Sequence, residues 1–96
     1  MPDYILLMRD DAESRAEDWL PYLQKLRQRG RFRGGSAIGD GVCLRKQGAA
    51  PAITAHLAGY IRVTAEGIEQ AKALLAGNPH WEAGGSVEIR ELPVSD

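Results

Sequence analysis

Tyr4-Ile5-Leu6-Leu7-Met8, halted by Arg9-Asp10-Asp11, is a continuous apolar run bounded by charge. It is too short for a typical helix and apolar on both alternating faces, so it reads as a central strand buried on two sides. Everything downstream has to supply neighbours for that strand and a cover for each of its faces.

After the strand, Ser14 and Glu17 have capping-box spacing, and Ala16, Trp19, Leu20, Leu23 and Leu26 recur at helical intervals until Gly30 supplies a left-handed stop. Pro21 either kinks that helix near Glu17 or moves its start to Asp18. Residues 31–38 read as extended, with Gly34-Gly35 marking a bulge or a close backbone approach. Gly39-Asp40-Gly41 predicts a hairpin turn, with Val42, Leu44 and Lys46 alternating against Cys43 and Arg45 as a short return strand. Residues 47–54 are small and interrupted by proline, the composition of an arm or loop.

The strand pattern resumes over residues 57–63, with Ile61 and Val63 on one face and Tyr60 and Arg62 on the other. Thr64 is the expected N-cap of a second helix of about twelve residues, with Ile68, Ala71, Leu74 and Leu75 as its stripe and Gly77-Asn78-Pro79 as its end. Residues 86–92 close the chain as a strand in which Val87 and Ile89 alternate with Glu88 and Arg90, and Pro93 ends it. The order is strand, helix, strand, inserted hairpin strand, strand, helix, strand. With right-handed crossovers it resolves to an α+β ferredoxin-like sandwich, an antiparallel sheet with two helices on one face. The other face of the two-sided first strand then needs a partner, and a second copy's sheet is the simplest one.

A chain of 96 residues makes a single domain over 1–96 and buries about 65% of its unfolded surface without staples. Its 44% hydrophobic and 26% charged composition excludes disorder and a disulfide scaffold. A single cysteine, Cys43, and the lack of a leader-like N-terminus or a long apolar run predict a cytoplasmic protein without membrane attachment. The net charge of −1 hides an uneven distribution: residues 15–46 carry +5 and each flank −3. The basic block centres on Arg27, Arg29, Arg31 and Arg33. It reads as a solvated face that complements a helix C-terminus, and no nucleic-acid binding is expected, since only Phe32 is interleaved with it.

The stretches Tyr4 to Met8, Leu26 to Gly30 with Gly34-Gly35, Leu57-Ala58-Gly59-Tyr60, Asn78-Pro79 with Ala83-Gly84, and Val87 to Leu92 together resemble the YCII-related proteins, including the branch named for its DGPF motif. The resemblance spans nearly the whole chain. It implies a dimeric α/β barrel, small and cytoplasmic, in a family mostly of unassigned function. Where DGPF-type relatives carry Asp-Gly-Pro-Phe, this chain has Gln47-Gly48-Ala49-Ala50. Where the YCII type has a helix histidine that pairs with an aspartate, it has Trp19, so that dyad is not carried over.

Candidate chemistry therefore rests on residues this chain possesses. His80, in Asn78-Pro79-His80-Trp81-Glu82, is the candidate acid/base, with Trp81 as a wall for a flat ligand; His56 reads as a surface loop residue. Tyr60, Arg62, Glu88 and Arg90 project from the helix-free face. Arg62 and Arg90 are expected on either side of the first strand, reaching a cavity shared with His80 or Trp81 and holding an acidic or aromatic ligand, with ion pairing at a dimer seam as the competing outcome. Cys43 reads as a reduced thiol or small filler. No metal spacing or cofactor motif is present, so none is expected. Three readings follow: a dimeric module binding a small acidic or aromatic molecule in a cleft at the sheet face, a small-molecule enzyme using His80, and a protein-interaction module using Arg27 to Arg33.

Overall fold

The protein is described here by a computed structural model covering residues 1–94. Its elements are β1 (Asp3–Arg9), α1 (Ala16–Gln28), β2 (Phe32–Ala37), β3 (Leu57–Thr64), α2 (Ile68–Ala73), α3 (Pro79–Glu82) and β4 (Val87–Leu92). The strands form one antiparallel sheet in the order β2-β3-β1-β4, a ferredoxin-like α+β arrangement. β1 is central, as its apolar run requires.

Strand parity divides the sheet. Tyr4, Leu6 and Met8 of β1 and Ile61 and Val63 of β3 are buried together with Tyr22 and Leu26 of α1, and with Ala71, Leu74 and Leu75 from the second helical segment. Val87 and Ile89 of β4 join the same core, so the helices lie on one face of the sheet. Removing the buried Leu6 side chain costs about 2–5 kcal/mol on the usual scale for such sites. The opposite parity puts Ile5, Leu7, Tyr60, Arg62, Glu88 and Arg90 on the helix-free face.

α1 ends as expected: Gly30 takes φ 70°, its N–H bonds the Arg27 carbonyl, and the Arg31 N–H bonds Leu26 at 2.9 Å. Its start differs. The N-cap is Arg15, with no side-chain cap, and Ser14 Oγ instead accepts the Trp19 indole N–H at 3.0 Å while Glu17 pairs with Arg15. Pro21 lies inside the helix, where the missing N–H leaves the Glu17 carbonyl without its intrahelical donor on an exposed side.

Two further expectations are corrected. The second helix is shorter than expected: α2 covers only Ile68–Ala73 with Gly67 as N-cap, residues 74–77 are turn, and past the expected stop at Gly77, φ 89°, a separate short helix α3 follows, capped by Asn78. Thr64 is no cap, because it is the last residue of β3 and its hydroxyl bonds the Pro2 carbonyl. The return strand over residues 42–46 does not form; residues 38–56 hold no helix or strand. The outer edge of β2 offers Gly34, Gly35, Ser36 and Ala37, which supply almost no side chain for cross-strand pairs, and no helix covers Val42 and Leu44, left 78% and 85% exposed. Among the described residues no helix is long and apolar enough to cross a membrane.

Candidate functional site

The helix-covered side of the sheet holds a cavity of about 340 Å³ between α1 and the β2–β3 ladder. Its walls are Trp19 and Leu23 from α1, Phe32 from β2, and Met8 and Ile61 from the sheet. Glycine makes the room. Gly35 and Gly59 border the floor, where a side chain would otherwise stand. A Cβ at Gly35 would come within 2.7 Å of the Tyr60 carbonyl oxygen, and the ladder slips between Phe32 and Gly34, so this glycine pair provides both the bulge and the close approach its sequence suggests.

Trp19 is fixed twice, by its indole bond to Ser14 and by an edge-to-face contact with Tyr22 at 6.0 Å between ring centres and 73° between planes. Tyr22 donates its hydroxyl to the Leu74 carbonyl at 2.7 Å, tying α1 to the end of α2, and burial pushes its phenol pKa up. The outer face of Phe32 is used too: the Arg27 guanidinium sits 4.8 Å from the ring centre.

His80 reaches the cavity from α3 and is 3% exposed. Its Nε2 lies 3.3 Å from Asp11 Oδ1, and the same oxygen accepts the Ser86 N–H at 2.9 Å. Hydrogen bonds from Ser86, side chain first and then backbone, hold the Asp11 carboxyl below the usual aspartate range, with His80 adding a smaller pull. The carboxylate thus stays an acceptor at neutral pH and orients the imidazole. Gly85 bonds the His80 carbonyl at 2.9 Å, and a Cβ there would lie 2.7 Å from the ring's Cε1 and closer still to Cδ2 and Nε2. Only glycine fits beside that ring.

The sheet separates the sequence-predicted set. Arg62 and Arg90 flank β1 on the helix-free face, but Arg62 pairs with Asp3 at 3.6 Å and Arg90 with Glu88 at 3.3 Å. Glu88 also binds Arg9 at 3.0 Å, and the two arginines, Arg9 before Arg90, hold its carboxyl below the usual glutamate range. Neither Arg62 nor Arg90 borders the cavity that contains His80, which corrects the expectation of a shared cleft: the sheet itself stands between them. Trp81 lies outside the cavity, 47% exposed, with its backbone N–H on Asn78 Oδ1. Tyr60 borders the floor through its stretch of β3, although its register places it beside Leu7 and Ser36 on the other face. His56 is exposed, and its carbonyl accepts the Asp10 N–H.

Asp11, Trp19, Phe32 and Gly85 enter the site without having been singled out for it. Asp11 reads in sequence only as part of the charge that ends β1, and Trp19 only as packing. In the structure its indole takes the Ser14 hydroxyl that the sequence assigns to a helix cap. Among the described residues no group of three or more His, Cys, Asp or Glu is arranged to hold a metal ion. No protein-family model matches this chain, and no relative is found among curated proteins.

Proposed function

We propose that this chain is a YCII-related, homodimeric, cytoplasmic protein that binds a small, flat, mainly apolar molecule in the cavity between α1 and the sheet. The observation that carries the reading is the 340 Å³ space walled by Trp19 and Phe32, with one buried imidazole at its edge. That size and lining are typical of small-molecule sites. The ligand is aromatic rather than acidic, since among the described residues no arginine or lysine borders the space and Arg62 and Arg90 lie on the other face of the sheet. The dimer part rests on the half-buried strip of Ile5, Leu7, Tyr60 and Leu92 on the helix-free face. The family part rests on the sequence resemblance and on a strand order that agrees with it, and the cytoplasmic part on the single free Cys43.

A second reading, a small-molecule enzyme with His80 moving a proton, is favoured by the Asp11–His80 contact, the orientation a general base needs. The basic-block reading gains less, because Arg27 is spent on Phe32 and Arg33 on the Phe32 carbonyl. The test is a fluorescence titration with naphthalene-type fragments on a Trp81→Phe background, so that Trp19 is the reporter. Saturable quenching abolished by Phe32→Ala supports the binding site. No response up to millimolar fragment sinks it.

A further inference from the structure

Beside its apolar walls the cavity is lined by Ser14 and Ser36, whose hydroxyls bond the Trp19 indole N–H and the Ala37 carbonyl, and by one imidazole, whose free nitrogen sets what a ligand's polar group meets there. Asp11 Oδ1 faces Nε2 at 3.3 Å while accepting the Ser86 N–H. An ionised carboxylate only accepts, so the neutral ring carries its proton on Nε2 and leaves Nδ1 with a lone pair. Gly85 closes around the Nε2 side, where a Cβ would fall on the ring. Among the described residues Nδ1 has no hydrogen-bond partner, and it is not among the sealed, unpaired polar atoms, of which Asn78 Nδ2 is the only case. His80 lines the cavity, and Nδ1 is its ring nitrogen without a partner among the described residues.

From this we infer that the cavity selects a neutral aromatic hydroxyl, a phenol-type molecule that donates its O–H to His80 Nδ1. The inference rests on the cavity being the binding site. An aromatic ether of the same shape gives the lone pair nothing, and an aromatic carboxylate sets a second acceptor against it with no cation in the lining to offset its lost hydration.

Three probes of one shape test this by calorimetry at neutral pH: 2-naphthol, 2-methoxynaphthalene and 2-naphthoate. The expected order is naphthol about tenfold tighter than the ether, one good hydrogen bond, with naphthoate weakest. In Asp11→Ala the naphthol preference falls below about threefold, because the proton is no longer held on Nε2. Nitrogen-15 spectra of a His56→Asn variant, in which His80 is the sole histidine, show the Nε2–H form. Equal Trp19-dependent binding of naphthol and ether, tighter naphthoate, or an Nδ1–H ring overturns the donor inference while leaving the cavity reading in place. If none of the three binds, or if binding ignores Trp19→Ala, the cavity reading itself fails.

Discussion

Arg62 and Arg90 are both direct cross-strand neighbours of Ile5, one from each side, so two guanidinium-bearing residues stand about 10 Å apart at their backbones. Both pair with carboxylates, Asp3 and Glu88, and neither borders the cavity across the sheet. Arg62→Ala therefore leaves fragment affinity unchanged. The Asp3 pair is exposed and 3.6 Å long, so the change in urea stability stays within about 1 kcal/mol. A fall in affinity of more than threefold would place ligand on the helix-free face instead.

That register was legible in the sequence, since period-two alternation fixes which residues share a face, and Ile61/Val63 against Tyr60/Arg62 leaves no ambiguity. Gly30 was legible on different grounds, since only one local dihedral at the end of α1 was at stake. The candidate site was not. His80 and Asp11 are 69 residues apart, and their meeting depends on how the turn after β1 and the loop before β4 close over one end of the sheet. No spacing rule encodes that. The early end of α2 escaped because the stripe of Ala71, Leu74 and Leu75 keeps helical spacing through a segment that has already become turn, packed down by tertiary contacts. Residues 42–46 misled in the opposite way, alternating without any surface to bury against.

Gly85→Ala tests how tightly His80 is held. A methyl at this position meets the buried imidazole rather than open space, so either the ring leaves its Asp11 contact or the loop before β4 moves. Overpacking of this kind costs about 1–3 kcal/mol, read as a lower urea midpoint at unchanged slope. Fragment binding weakens in parallel. Wild-type stability with wild-type affinity would mean that the ring is not clamped there.

The Asp11 carboxyl titrates below the usual aspartate range in the folded chain, chiefly through Ser86. A depressed folded value means that the unfolded chain binds the proton more readily, so the stabilisation is fully present above the unfolded pKa, about 3.9, and is lost as pH falls through the lower folded value. The stability gap between wild type and Asp11→Asn, measured by urea unfolding, accordingly holds at about pH 5 and narrows towards about pH 3. A gap that widens on acidification contradicts this assignment. The neighbouring Asp10→Asn serves as the control.

The helix-free face supplies the last test. Ile5 and Leu7 lie in its centre, between the Asp3–Arg62 pair and the Arg9–Glu88–Arg90 cluster, an apolar strip with a charged rim that two copies can share about a two-fold axis. A stable interface there buries more than about 1,000 Å² in total, and the wild type sediments as a dimer at micromolar concentration. Ile5→Glu is the informative variant, because in a single chain the new carboxylate falls between Arg62 and Arg90 and is tolerated, whereas a second sheet laid over it strips its water without adding a cation. The expected outcome is a folded monomer with unchanged circular dichroism. A wild type that sediments as a monomer, or an Ile5→Glu dimer of undiminished affinity, removes this face as the site of self-association.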